Sequence, residues 1–330
     1  MAIPTSVVGS EMPALKGAKI MIREGASNFD ILEANQLFLG GFSIPPYVGT
    51  IYYVDGNAGN DGYDGKSWGS AFKTLAVAMA ASQADIAASS KGWASRNIIF
   101  YKADVTKDDD GENLVLLAQK TDVIGIGSTD WRAKPQLLGN HVIPATAETH
   151  GCRFFNMSFV GPAAGGDLWK LTDQHGVEFI DCNFRGDSTA AATGALTAIA
   201  CVDLKVHRCK FLGAYSDAVI EIGAGQADGL VITESQIYGA NNGIEISGDS
   251  TFAAGKYGLI KENLIHTTGI CISDSEAKSY IINNRLITAA AEGVAMAGAI
   301  VCNIKLAQDN RITTSDKDNV IYPANGAIAS

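Results

Sequence analysis

The sequence predicts an all-β fold: a single-stranded right-handed parallel β-helix with an N-terminal capping helix and a non-repeat N-terminal arm. Three observations carry that expectation. From Gly151 to about Thr314 one short pattern recurs seven times, anchored on Phe159, Phe184, Phe211, Ile237, Ile265, Leu286 and Ile312, in steps of 25, 27, 26, 28, 21 and 26 residues. Two positions before each anchor stands Met157, Cys182, Cys209, Ser235, Asn263, Asn284 or Asn310, and Gly follows two after it at Gly161, Gly186, Gly213 and Gly239. A second short run alternates: Val219-Ile220-Glu221-Ile222, Gly243-Ile244-Glu245-Ile246, Gly269-Ile270-Cys271-Ile272 and Gly293-Val294-Ala295-Met296. A drifting period in the twenties, with β-rich runs split by Gly, Asn and Asp, marks a solenoid. Leucine-rich repeats need a rigid Leu and Asn pattern that is absent, and helical repeats need a period near 3.6.

The reason for such a pattern is stacking. One coil cannot bury its own apolar side chains, whereas coils about 4.8 Å apart share a core and satisfy each other's backbone groups. Asn263, Asn284 and Asn310 are expected one above another at a bend, their amides bonded along the stack in a left-handed backbone. Cys182, Cys209 and Ser235 continue the column as small buried residues. In the second run Ile points inward and Glu, Cys or Ala outward.

Bulk composition agrees with a packed β protein. Apolar residues make up 47%, with 36 Gly against 8 Pro, and the net charge is −10. That charge, with no basic run, argues against a nucleic-acid partner, and no apolar window is long enough for a membrane span. Cys152, Cys182, Cys201, Cys209, Cys271 and Cys302 form no CxxC and no zinc spacing with His, which favours buried free thiols. Met1-Ala2-Ile3-Pro4-Thr5 shows no charged segment leading into an apolar core, so no export signal is expected. Most carbohydrate-cleaving β-helices have to leave the cell; release by lysis, as a particle component, removes that requirement.

Taken in order, residues 1–48 form an arm or attachment segment outside the repeat, with Lys19–Arg23 alternating as a strand and Phe29–Leu39 expected as a short helix. Residues 49–96 hold the strand Ile51–Asp55, a Gly/Asn/Asp loop and an Ala-rich helix from Ser70 to about Ser90. In that helix Phe72, Leu75, Met79 and Ile86 fall at helical spacing and Ser70 is the N-cap. The helix is expected to plug the open end of the solenoid. Residues 97–315 are the coils, beginning with the strand Asn97–Tyr101, and residues 316–330 a polar tail.

The segment "YYVDGNAGNDGYDGKSWGSAFKTLAVAMAAS" resembles the opening of the pectate-lyase-like β-helix superfamily, especially its members in bacteriophage tailspikes and other virion proteins. There, too, a strand, an Asp/Gly/Asn loop, a Trp or Pro turn and a Thr-containing capping helix precede the coils. "LVLLAQKTDVIGIG" followed by "PQLLG" is similar to the first coil of those proteins. The likeness spans roughly residues 50–315 and implies the fold and a phage setting. It is nearly silent on activity, because this fold hosts enzymes and inert shafts alike.

Glu221 and Glu245 are the sharpest chemical candidates. One coil apart on an outer face, their carboxylates can approach to about 5 Å, the separation of a retaining glycosidase pair. Asp217, four before Glu221 as Asn241 is four before Glu245, adds a third acid, and crowding of this kind raises a pKa or binds a cation. The plain alternative is that outward strand positions are simply polar. Asp181, Arg208, Glu234, Glu262, Asn283 and Asp309 form another column, with Lys210, Arg285 and Arg311 nearby. A lyase site can be imagined there, against plain alternating surface charge. The pectate-lyase calcium cluster with its basic residue cannot be placed, and the polygalacturonase signatures are missing as a set. Asp55, Asn57, Asp61 and Asp64, followed by Gly65, superficially suggest a calcium loop but lack the final Glu of an EF-hand, and Asx turns explain them. The histidines at 141, 150, 175, 207 and 266 are isolated. Trp68, Trp93, Trp131 and Trp169 could line a sugar groove, though Trp68 is expected under the capping helix.

The resulting expectation is a bacteriophage virion structural protein without catalysis or cofactor: a capsid decoration or a head or tail appendage, homotrimeric by analogy with phage spikes. Other virion proteins are its partners, host surface polysaccharide is an optional one, and membranes are not. The alternatives are a tailspike-type polysaccharide depolymerase, hydrolase or lyase, using Asp217, Glu221 and Glu245, and a non-catalytic glycan adhesin.

Overall fold

The structure is a computed structural model. It describes residues 49–89, 95–102, 112–127, 134–147, 149–161, 165–186, 193–254, 256–276, 278–290 and 293–295, and the backbone alone of 19–22, 29–33, 37–39, 42–44, 296 and 311–314. Asn310, Asp309, Cys302, Trp93, Trp131 and the tail 316–330 lie outside the described residues.

The chain divides into two compact units, Met1–Gly49 and Thr50–Ser330. In the first, Lys19–Ile22 pairs antiparallel with Phe29–Glu33, and Leu37–Leu39 with Phe42–Ile44. The short helix expected over Phe29–Leu39 is therefore replaced by strands. Its Phe, Ile and Leu residues suit a pleated surface as well as a helical stripe, and the Gly40-Gly41 pair between the last two strands is a strong turn signal.

The second unit is a parallel β-solenoid. Among the described residues three parallel sheets run along it, of nine, eight and seven strands. The first sheet begins at Ile51–Asp55 and Asn97–Lys102 and continues one strand per coil to Ser279–Ile282. The second runs from Gln136–Leu138 to Arg311–Thr314, and the third from His141–Ile143 to Val294–Met296. All seven anchors stack in register in the second sheet, Phe159 to Phe184 to Phe211 to Ile237 to Ile265 to Leu286 to Ile312. The first six are fully buried. Phe184 stacks on Phe211 with centroids 4.4 Å apart and planes 10° apart, and in the first sheet Phe154 stacks on Phe179 at 5.4 Å.

The polar column closes the corner between the first and second sheets. Asn263 Oδ1 accepts from the Ser235 backbone N–H (2.9 Å), while Asn263 Nδ2 donates to Ile232 O and to Asn284 Oδ1 (2.9 Å each). Asn284 repeats this one coil on, accepting from the Asn263 N–H and donating to Ile260 O. Toward the N-terminus Ser235 Oγ accepts from the Cys209 N–H (3.1 Å), and the Cys182 and Cys209 thiols reach Phe154 O and Phe179 O. The left-handed backbone does not fall on this column, as expected from Asn, but on the residue before it. Asn156, Asp181, Arg208, Glu234, Glu262 and Asn283 all have φ between 51° and 58°. The ladder residue must aim its side chain inward along an extended strand, so the chain reverses one residue earlier, where Arg208, Glu234, Glu262 and Asn283 are exposed, while Asn156 is buried and donates to Gly125 O.

The third sheet corrects one register. Ile220, Ile244, Ile272 and Val294 share a level, and Glu221 is followed by Glu245, Ser273 and Ala295. Cys271 therefore points inward and is fully buried, and Ser273 takes the outward place. Cys152, Cys182, Cys201, Cys209 and Cys271 are all free and buried.

The capping helix, α1, spans Leu75–Ala88. It starts five residues later than the sequence suggests, with Thr74 and not Ser70 as N-cap, because Ser67 instead caps a short 3-10 turn, Trp68–Ser70. The Glu112 carboxylate accepts from the backbone N–H groups of Leu75 and Ala76, setting a negative charge on the positive helix end. Leu75, Ala78, Met79, Ser82 and Ile86 face inward, and α1 packs against the first two strands. The free edge of Ile51–Asp55 is covered by its own loop: Tyr53 N–H donates to Gly65 O, Asp55 N–H to Phe72 O and Phe72 N–H to Tyr53 O. A strand that would otherwise template aggregation is thereby blocked.

Candidate functional site

The outer face of the third sheet carries one in-register row: Val142, Lys170, Thr197, Glu221, Glu245, Ser273 and Ala295. Strand alternation puts these side chains outward while Ile220, Ile222, Ile244 and Ile246 fill the core. The bends entering the sheet add Asp167, Asp217 and Asn242. Asp217 is exposed, its N–H held by Thr193 O (3.0 Å). Asn242 Oδ1 accepts from the Ile270 N–H, and its Nδ2 donates to Glu245 Oε2, both at 3.0 Å.

Glu221 and Glu245 are thus direct cross-strand neighbours, with Asp217 close enough to act on Glu221 electrostatically. Partial burial raises the Glu221 carboxyl above its ordinary value, and the charges of Asp217, Asp167 and Glu245 push the same way against Lys170. Asp167 is also raised, first by burial, with the nearby Thr197 hydroxyl opposing. Thr197 is 4% exposed, and its hydroxyl serves the neighbouring Asp167 carboxylate inside the wall. Asp167, Lys170 and Thr197 escaped sequence reasoning because their coils do not repeat the Gly-Ile-Glu-Ile run; only counting back by the coil period reaches them. A wall with crowded acids and one ammonium can share a proton.

The corner column is knitted together instead. Asp181 and Arg208 form a two-pronged ion pair, 2.8 Å in each arm, and Lys261 meets Glu262 at 3.1 Å. His207 Nδ1 faces Thr233 Oγ1 at 2.7 Å, and its Nε2 contacts Arg208. Arg208 is thereby committed to Asp181.

In the loop after the first strand, carboxylates turn to backbone N–H groups. Asp55 Oδ1 accepts from Asn57 and Ala58, Asp61 Oδ1 from Lys73 and Thr74, and Asp64 Oδ1 from Lys66. Lys102 pairs with Asp55 at 2.8 Å. Asp55 and Asp64 make Asx turns, and Asp61 reaches across the loop to fasten it to the helix start. Among the described residues no group of three or more His, Cys, Asp or Glu is arranged to hold a metal ion. Trp68 does not pack under α1 but stands 45% exposed, edge-on to Tyr53 at 4.9 Å, whereas Trp169 is buried in the core.

No family model, no curated protein and no solved structure matches this chain.

Proposed function

We propose that this chain is a structural protein of a bacteriophage particle, a β-solenoid without catalytic duty that decorates the capsid or forms a head or tail appendage. The observation that supports the reading is the N-terminal opening: a strand edge closed by an Asp/Gly/Asn loop, a Trp turn and a Thr-capped helix. It is the segment whose sequence resembles phage β-helices. Proteomics of purified particles tests it, with the chain expected at a fixed ratio to the major capsid protein. Its absence from particles, with the chain left in the lysate, overturns the proposal. Homotrimerisation by analogy with phage spikes is part of the same reading. Sedimentation should give three times the chain mass of 34.6 kDa.

A second reading, a polysaccharide depolymerase, is favoured by one observation, the Glu221 carboxyl raised by burial and by Asp217, Asp167 and Glu245. In that role Glu221 is the proton donor and Glu245 the partner carboxylate. New reducing ends from host polysaccharide, abolished by Glu245→Gln, would establish it over the first reading.

A further inference from the structure

We infer that Cys182 and Cys209, stacked at the corner between the first and second sheets, form a two-coordinate site for a soft monovalent metal ion of the Cu(I) class, with Lys134 supplying the balancing charge. The site lies apart from the third-sheet wall and depends on neither reading of function.

The two cysteines hold the same ladder position on adjacent coils. Lys210 N–H donates to Cys182 O at 2.9 Å, and the residues that follow them, Asn183 and Lys210, are register partners. Both side chains are buried, at 0% and 2% exposure, and the two thiols are in hydrogen-bonding contact. Each also lies against two carbonyls: Phe154 O and Ile180 O at 3.5 and 3.3 Å from Cys182 Sγ, Phe179 O and His207 O at 3.3 and 3.4 Å from Cys209 Sγ.

Three features select the ion. The first is spacing. In-register neighbours in a parallel stack stand about 4.8 Å apart, and a linear sulfur–metal–sulfur bridge spans about 4.5 Å, twice a thiolate bond of about 2.3 Å. A disulfide of about 2.05 Å would have to draw the coils together much further. The second is donor number. On one side Met157 lays its sulfur toward Gly125; on the other Ser235 Oγ is taken by Thr233 O and the Cys209 N–H. Two thiolates without a third ligand suit Cu(I) and not tetrahedral zinc, and sulfur donors do not suit magnesium or calcium. The third is charge. Lys134 is 8% exposed, and its ammonium donates to Asp181 O, on the peptide that joins Asp181 to Cys182, within electrostatic reach of Cys209. Among the described residues no carboxylate pairs with it; that of Asp181 is held by Arg208 at 2.8 Å. A buried ammonium normally has an anion beside it. When the ion binds, two S–H bonds break, two protons leave to solvent and two S–Cu bonds form. The resulting bis-thiolate carries one negative charge, which Lys134 neutralises.

The test titrates the full chain, reduced and free of oxygen, with Cu(I) against the chelator bicinchoninate. It is run on the folded chain and on chain refolded from urea, because the thiols are sealed from solvent. A single Cu(I) per chain should be retained, with X-ray absorption showing two sulfur neighbours at about 2.2–2.3 Å. Cys182→Ser and Cys209→Ser should each abolish retention and still fold, since Ser235 already fills the next place in the ladder. Cys271→Ser, at a buried thiol elsewhere, should leave retention unchanged. Lys134→Met should not lower the melting temperature, yet should weaken Cu(I) about tenfold or more, a loss that a merely structural lysine would not cause. Retention in neither preparation, three or more sulfur neighbours, or an affinity indifferent to Cys182→Ser, Cys209→Ser or Lys134→Met overturns the inference.

Discussion

His141 should make this fold acid-labile by an amount that can be worked out. Its ring is fully buried, with Trp169 at 4.5 Å and Phe159 at 5.9 Å between ring centroids, and its Nδ1 accepts from the Leu114 backbone N–H at 3.2 Å. Burial pushes its pKa from 6.5 down to about 3. In the unfolded chain the imidazole titrates near 6.5, so the folded state binds fewer protons between the two values. Stability from this group is therefore complete above pH 6.5 and is lost as pH falls toward 3. At pH 5 the loss is about 2 kcal/mol, set almost wholly by the unfolded value, and at pH 3 it exceeds about 4 kcal/mol. His141→Asn keeps an acceptor near the Leu114 N–H but does not titrate. Urea unfolding at pH 7.5 and pH 5.0 should show the native chain losing about 2 kcal/mol more than the variant between those pH values. Equal losses would refute the reasoning, since a neutral buried imidazole cannot leave that slope unchanged.

Other consequences follow from the corner and the cap. Asn263→Leu strands the Ser235 N–H and Ile232 C=O in the core and should cost about 3–5 kcal/mol in chemical unfolding, with no compensating gain. Glu234 holds φ 52° on an exposed corner, so Glu234→Gly should stabilise by about 0.5–1 kcal/mol and Glu234→Val destabilise by more; a calorimetric scan ranks the three. Glu112→Gln weakens the charge that the N-terminus of α1 rests on, and should cost about 1 kcal/mol with faster amide exchange in Leu75 and Ala76.

The coils are legible in the sequence because a buried level repeats: a stack of Phe and Ile cannot drift without emptying the core, so Phe159 to Ile312 recur at the coil period. The slip at Cys271 shows the limit. Ile-x-Ile matches itself after a two-residue shift, since alternation fixes the face but not the level. The neighbouring step from Ile237 to Ile265 is 28 residues, and it carries Ile244 to Ile272, not Ile270. The left-handed corner departs from the expected Asn column for a different reason. Asn is the usual sign of that conformation, yet here Asn263 and Asn284 are the ladder, and the left-handed turn falls on Asp181, Arg208, Glu234 and Glu262 as readily as on Asn156 and Asn283. Of the candidate site, Glu221 and Glu245 were visible through their twin Ile-Glu-Ile runs. Asp167, Lys170 and Thr197 come to the same wall only through register, which no local motif records.

One experimental density map bears most directly on the solenoid. The ladder requires the Asn263 and Asn284 side chains on adjacent coils, Asn263 Oδ1 at 2.9 Å from Ser235 N, and Phe184 face to face with Phe211 at 4.4 Å. A crystal structure with those pairs in register is the expected result; the two amides on different faces, or the rings offset by a coil, would contradict it.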